Sequence, residues 1–155
     1  GGSLTPGTPV SNSTTCTVTT NSANGYELAV ARDDADTTMD HDSDATTNIT
    51  DKTAWDPTAN TGDGNAATYS GTGLGFSLYS SDATKNTTWW GSGTACHDAS
   101  NKYAGFPSAS TKIMDHDSYS SSSTTNGICY RLDVPSTQKS GSYSGYITYT
   151  ATATP

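Results

Sequence analysis

Apolar and polar residues alternate one by one in several short stretches of this chain, which is the spacing of a β-strand that buries one face. These stretches are rich in β-branched and aromatic residues, which suit a pleated surface. They predict strands at residues 14–20, 26–31, 74–78, 111–114, 128–134 and 143–152. No stretch shows the spacing of an amphipathic helix. The chain is therefore predicted to consist of strands and their connections.

Two turn signals join neighbouring predicted strands. Asn24-Gly25 is typical of a tight hairpin turn and would pair the first two strands. A polar turn through Ser140-Gly141 would pair the last two strands as a closing hairpin. The polar segments between the other strands are predicted to be loops; they are residues 33–69, 80–106 and 118–127.

The predicted fold class is all-β: a single β-sandwich, Ig-like or jelly-roll-like, of about six to eight strands with long polar loops. Its length of 155 residues fits one domain. Residues 1–13 carry Gly and Pro and are predicted to form an extended N-terminal segment that can act as a donor strand. Residues 14–155 are predicted to form the β-sandwich domain.

Composition and charge exclude some partners. The formal charge of -8 comes almost entirely from aspartate, since Glu27 is the only glutamate. With so few Lys and Arg, binding to nucleic acid or to an anionic membrane surface is not expected. No apolar run reaches the roughly 20 residues of a membrane-spanning helix. Three cysteines in a Thr/Ser/Asn-rich chain favour an extracellular or cell-surface location, where a disulfide persists.

The three cysteines leave two pairings open. Cys16 lies in the strand phase of the inward-facing Val18, whereas Cys129 lies on the face opposite Tyr130. A Cys96–Cys129 disulfide is favoured, because it would tether the second long loop to the closing hairpin and leave Cys16 as a buried thiol. The alternative is Cys16–Cys129, with Cys96 available for a bond between chains.

The pentapeptide Met-Asp-His-Asp-Ser occurs twice, at 39–43 and at 114–118. The first copy begins a run of oxygen-bearing side chains at alternate positions, as in a calcium-binding loop. The predicted Ca²⁺ ligands are Asp40, Asp42, Asp44, Asn48 and Asp51. The favoured interpretation of this segment is a solvated acidic loop whose aspartates cap their own turns; the calcium site is an alternative, as is a zinc site that joins His41 and His116.

Trp89 and Trp90 are adjacent in the second long loop. Exposed aromatic rings could stack on the apolar faces of sugars and bind a glycan. Alternatively the rings belong to the core, because few aliphatic side chains are present to fill it. For catalysis, the segment Gly141-Ser-Tyr-Ser-Gly145 does not match a nucleophile elbow, and no enzyme activity is expected.

Both ends of the chain carry a family resemblance. Val134-Pro135, the segment Gly-Ser-Tyr-Ser-Gly-Tyr-Ile-Thr-Tyr-Thr at 141–150, and Thr-Val-Thr-Thr-Asn at 17–21 followed by Asn24-Gly25-Tyr26 resemble secreted bacterial surface β-sandwich domains. The resemblance is to WxL-like and to camelysin- or pilin-like domains. It implies a cell-surface β-sandwich, with peptidoglycan binding for the WxL kind. The Trp-x-Leu motif itself is absent, since Gly91 follows Trp90.

The predicted function is a non-catalytic extracellular structural protein, the subunit of a pilus-like cell-surface filament or a coat. Its partners would be copies of itself, joined by N-terminal strand donation in which Leu4 and Val10 are the apolar residues that dock. The alternative is a cell-surface adhesin or a wall- or glycan-binding module that presents the two long loops.

Overall fold

The computed structural model describes residues 3–81 and 85–155, and nearly all of its regular structure is β-strand. The all-β fold class is confirmed. The elements in chain order are β1 (Val10–Thr20), β2 (Tyr26–Arg32), β3 (Met39–His41), β4 (Asn48–Ile49), a 3-10 helix (Ala59–Gly62), β5 (Ala67–Thr68), β6 (Gly73–Ser81), α1 (Thr87–Trp90), β7 (Lys102–Tyr103), β8 (Thr111–His116), β9 (Ser120–Asp133), β10 (Tyr143–Ser144) and β11 (Ile147–Ala153). None of the helices among these residues is long and apolar enough to cross a membrane.

Two antiparallel sheets of three strands contain the longest elements. One has the strand order β1-β9-β6 and the other β11-β2-β8. Two smaller sheets, β10-β3-β4 and β5-β7, are formed by the segments between them. The long strands β1, β2, β6, β8, β9 and β11 agree with the six predicted from the alternating pattern, while the very short strands carried no such signal.

The two main sheets contribute to one hydrophobic core. The alternating pattern places every second side chain of β6 and β2 in this core, and Leu28, Val30, Phe76 and Leu78 are fully buried. Aromatic side chains fill the remaining space, with Phe76 and Phe106 stacked at a centroid distance of 4.5 Å. Each fully buried side chain of this size stabilises the fold by about 1.5–3 kcal/mol relative to leaving it in water.

Both predicted hairpins are wrong, because each pair of consecutive strands is divided between the two sheets. The turn at Asn24-Gly25 forms, with Gly25 at a φ of 77°, but β1 pairs with β9 while β2 pairs with β11 and β8. At the C-terminus β9 and β11 also lie in different sheets, and the hydroxyls of Tyr130 and Tyr149 meet between them at 3.0 Å. The alternation of apolar and polar residues shows which face of a strand is buried, but it does not show which other strand will pair with it.

The predicted loop at 118–127 is also wrong, since most of it forms the first half of β9. Polar side chains are accommodated there because they bond to one another inside the fold. Tyr26 Oη lies 2.7 Å from Thr124 Oγ1, and Asn126 Nδ2 donates to Tyr26 Oη at 2.9 Å. Asn126 is fully buried. A buried polar group that is hydrogen-bonded avoids most of the cost of leaving water.

Candidate functional site

The N-terminal strand β1 lies at the edge of its sheet. It pairs with β9 along its length, beginning with Val10 opposite Leu132, and no second neighbour is assigned to it within the described residues. Its first six residues are all exposed, Cys16 and Val18 pack against the core, and Thr20 at its end is buried. Residues 10–13, which the sequence analysis assigned to the extended segment, therefore belong to the sheet. An edge strand of this kind offers an unpaired row of backbone N–H and C=O groups.

The chain before β1 folds back on itself through few contacts; Gly1 and Gly2 of the predicted segment lie outside the described residues. A turn joins Thr5 and Thr8, with the N–H of Thr8 donating to the carbonyl of Thr5 at 3.0 Å. Within this turn, the N–H of Gly7 donates to Oδ1 of Asp133, a residue of β9, at 2.9 Å. Leu4 is half-buried and Val10 is 40% exposed.

A groove of about 950 Å³ opens beside this segment, where β1 and β11, the edge strands of the two main sheets, come together. This volume is at the upper end for ligand pockets. Its lining includes residues of the N-terminal segment and of β1. It also includes apolar side chains from several other elements; they are Met39, Ile49, Leu74, Tyr130, Leu132, Val134 and Ile147.

The segment 135–142 forms the rim of the groove and is fastened to the β3–β4 hairpin. Gln138 Nε2 donates to the carbonyl of Asn48 at 3.3 Å and to Tyr143 Oη at 2.8 Å. Lys139 Nζ forms an ion pair with Asp44 Oδ2 at 2.6 Å. The ring of His41 lies edge-on to the ring of Tyr143 at 4.9 Å and below the backbone of the rim. These contacts hold the rim in place by polar bonds, while the floor of the groove stays apolar.

The lining of the groove carries little charge, although the protein as a whole is acidic. Among the described residues that line it, none is Asp or Glu, and Lys139, which is paired with Asp44, is the single charged side chain. Burial raises the pKa of the Tyr130 hydroxyl and, more strongly, that of the neighbouring Tyr149. Both hydroxyls are therefore neutral at any physiological pH. An apolar, uncharged and extended ligand fits this surface better than a cation or an anion.

The predicted calcium loop is a short β-hairpin, with Asp40 of β3 directly opposite Asn48 of β4. No three of its four carboxylates lie within metal-binding distance of one another in the described part of the chain. Each is held by a different partner instead: Asp42 accepts from Ser144, and Asp44 accepts from Lys139. The predicted Ca²⁺ ligands are therefore not gathered at one site in this structure, because Asp42 and Asp44 lie in the turn after β3 and are held by separate partners.

Asp51, the last of the predicted ligands, is buried in an ion pair. Its Oδ2 accepts from Arg32 at 3.2 Å, from the N–H of Thr38 at 3.0 Å and from Thr38 Oγ1 at 2.7 Å. The side chains of Arg32 and Asp51 are 10% and 5% exposed. This pair ties β2 to the segment after β4 and leaves this oxygen of Asp51 without room for a metal.

A different carboxylate cluster occurs at Asp34, Asp36 and Asp40, whose ligand oxygens lie within 4.8 Å of one another. Partial burial, together with hydrogen bonds to Asp36 and Asp40, raises the pKa of Asp34 to about 6. Oxygen ligands of this kind are those that hard cations prefer. The cluster is accessible to water and bonded to its own loop, with Asn48 Nδ2 donating to Asp36 at 3.0 Å, so its geometry does not require a cation.

The two repeated histidines do not share a metal site. His41 lies in β3 against Tyr143, and His116 ends β8 against Tyr26 at a ring distance of 5.2 Å. Neither belongs to a group of three potential ligands among the residues that the structure describes. The repeat instead places a Met at a partly or fully buried strand position and a His beside an aromatic ring, once in each of two sheets.

The predicted pair of stacking rings is divided between core and surface. Trp90 is fully buried against Trp55 and Phe76, and its indole N–H donates to the carbonyl of Ile113 at 2.9 Å. It cannot stack on a sugar, and this part of the prediction is wrong. Trp89 is half-buried, and its indole N–H donates to the carbonyl of Gly62 at 2.8 Å.

The structure joins Cys96 and Cys129 in a disulfide, the pairing that the sequence analysis favoured. Their Cα atoms are 5.0 Å apart, which is normal for a disulfide. Cys129 is fully buried on the face of β9 that points away from the main core, and the tethered loop covers it. Cys16 is a free, partly buried thiol.

Sequence reasoning found Leu4 and Val10 but missed the groove that they border. Met39, Ile49 and Ile147 are its main additional residues, and they come from separate elements. A local signal existed only for Ile147, which lies in a predicted strand; the other two are isolated apolar residues in a long polar segment.

No family model matches the chain, and no curated protein or solved structure matches it. The resemblance to WxL-like and to camelysin- or pilin-like domains therefore stays a prediction based on the two ends of the sequence.

Proposed function

We propose that this protein is a non-catalytic extracellular structural protein, the subunit of a pilus-like filament or a coat on a cell surface, assembled through its N-terminal segment. This proposal rests mainly on how few bonds attach that segment to the rest of the fold. Residues 3–9 are attached to the fold by few bonds and lead into an edge strand whose first six residues are exposed.

An exposed edge strand with a loosely held extension is suited to pairing with another chain. Adding a strand to an open sheet edge provides main-chain hydrogen bonds for affinity and alternate side-chain contacts for specificity. The contact joins two different surfaces of the protein, the extension and a receiving edge. Such head-to-tail contacts produce an open fibre when the rotation between copies does not close a ring.

The extracellular location is supported by the disulfide between Cys96 and Cys129. Disulfides of this structural kind persist in oxidising compartments and are rare in a reducing cytosol. A tether inside the subunit also suits a protein that must stay folded outside the cell. The acidic surface keeps unassembled subunits apart through their net negative charge.

Electron microscopy of the purified full chain beside a variant lacking residues 1–9 tests this function. We expect filaments or ordered arrays from the full chain. The deletion variant, which keeps β1, should remain monomeric with an almost unchanged melting temperature, because few contacts are lost. A full chain that stays monomeric under all conditions would rule out the structural function. Polymers formed by the deletion variant would rule out N-terminal donation while leaving a structural role.

A further inference from the structure

A donated segment needs a receiving surface, and the groove between β1 and β11 has the properties of one. We infer that this groove binds residues 4–10 of a second copy of the chain, which takes the place of the groove's own N-terminal segment. This inference rests on the proposed filament function and names its partner and its acceptor site.

Shape is the first reason. The groove lies between edge strands of two different sheets, so a bound strand would meet unpaired backbone groups there. Its floor consists of partly or fully buried apolar side chains such as Leu74, Leu132 and Ile147. Apolar side chains of a second copy can keep them out of water once the chain's own segment is released.

The sequence of the segment is the second reason. When residues 4–10 are extended, side chains at alternate positions point to the same side. Leu4, Pro6 and Val10 then form one apolar face, and these same three residues border the groove within the monomer. A second copy can therefore present the contacts that the chain's own segment makes. Extended by about 3.3 Å per residue, the segment reaches about 20 Å.

Charge is the third reason. Residues 1–26 contain no Asp, Glu, Lys, Arg or His, whereas the whole chain has a formal charge of -8. The groove lining likewise contains no carboxylate. Two copies can thus approach through these two surfaces without bringing like charges together. Surfaces that carry aspartates would bring like charges together, which is unfavourable at short range.

The exchange has a small energetic cost within the monomer. Freeing residues 4–10 breaks the Thr5–Thr8 turn, the bond from Gly7 to Asp133 Oδ1 and the pairing of Val10 with Leu132 at the start of β1. A hydrogen bond of this kind contributes little net stability, because it replaces a bond to water. Asp133 is buried and its Oδ1 also accepts from the N–H of Val134, and the trans segment can restore the bond that Gly7 donates to it. The monomer and the polymer therefore differ by few contacts, as in domain swapping.

Cross-linking between singly substituted full-length chains tests the inference. In a Cys16→Ser background, one chain carries Leu4→Cys and the other carries Ser142→Cys at the exposed rim of the groove. The two are mixed under assembly conditions, treated with a short bismaleimide and analysed on a denaturing gel, with electron microscopy of the same sample. A chain carrying Ser108→Cys, at an exposed site outside the groove lining, replaces the second partner as control.

We expect linked dimers from the Leu4→Cys and Ser142→Cys mixture and their loss in the control mixture. Filaments without the specific cross-link would overturn the acceptor site and leave the filament function standing. Specific dimers without filaments would support the acceptor site and overturn the filament function. The absence of both would overturn both. A small molecule retained in the groove of a monomeric chain, detected by native mass spectrometry, would also overturn the inference.

Charge placed on the donor face provides a second measurement. Leu4→Asp puts a carboxylate into the apolar groove, and we expect a loss of both cross-linked dimer and filament; the cross-link is then read between Val10→Cys and Ser142→Cys chains. Ser108→Asp makes the same change in net charge outside the groove and should leave both intact. Equal behaviour of the two aspartate variants would contradict binding of the segment in an apolar site.

Discussion

At the scale of single residues, Trp90 is the largest fully buried side chain, and its indole N–H is bonded within the core. Trp90→Ala should lower the free energy of unfolding by about 3–5 kcal/mol, because it removes a large core ring and leaves a cavity. Trp89→Ala should cost only about 1 kcal/mol, since Trp89 is half-buried. Urea unfolding of the two variants measures the difference. Equal losses would contradict the division of the two rings between core and surface.

The ion pair of Lys139 and Asp44 gives a prediction that depends on pH. The Lys139 ammonium, with hydroxyl and backbone donors from Thr46, holds the pKa of Asp44 well below its usual range. Because this folded-state pKa lies below the unfolded value of about 3.9, the pair stabilises the groove rim above that pH. Its contribution is lost as the pH falls through the folded-state pKa.

A titration of the Asp44 carboxyl group followed by NMR measures this shift. Lys139→Met should move the pKa of Asp44 back towards its ordinary value. Lys102→Met removes a lysine whose Nζ donates to the carbonyl of Thr88 instead, and it should leave Asp44 unchanged. A similar pKa in all three proteins would show that Lys139 does not hold the rim.

At the scale of elements, the disulfide connects the second long loop to the central strand of its sheet. Cys96 and Cys129 are separated by 33 residues. Closing a loop of this length is expected to stabilise the fold by between about 3 and 4.7 kcal/mol in the chain-entropy model. Reduction of the intact protein, or the double variant Cys96→Ser/Cys129→Ser, should lower the unfolding free energy by about this amount. Chemical denaturation measures it, and Cys16→Ser, which breaks no bond, is the control.

Strand positions were predictable and strand partners were not. The strong alternation of Leu74, Phe76 and Leu78 identified β6, and all three side chains are buried as expected. The turn at Asn24-Gly25 also forms. Its local sequence does not show whether the next strand returns to the same sheet or crosses to the other, because that depends on β9, which lies a hundred residues away in sequence.

At the scale of the whole molecule, the net charge of -8 opposes association of copies. Added NaCl should therefore speed filament growth, since the screening length shortens from about 30 Å at 0.01 M to about 10 Å at 0.1 M. Light scattering over a salt series measures the rate, with sucrose of matched osmolality as the control. Growth that slows with salt would show that attraction between opposite charges, rather than contact between the uncharged surfaces, drives assembly.

The sequence by itself determined the all-β class, the six long strands and the uncharged N-terminal segment, because each depends on local alternation or composition. For the disulfide it favoured Cys96–Cys129 and left Cys16–Cys129 open, and the structure decided between them. Only the tertiary structure decided which strands pair, that Trp90 is buried while Trp89 is not, and that the predicted calcium ligands diverge. It also decided that isolated apolar residues such as Met39 and Ile49 meet in one groove. These outcomes depend on contacts between residues far apart in the chain, and no local pattern encodes such contacts.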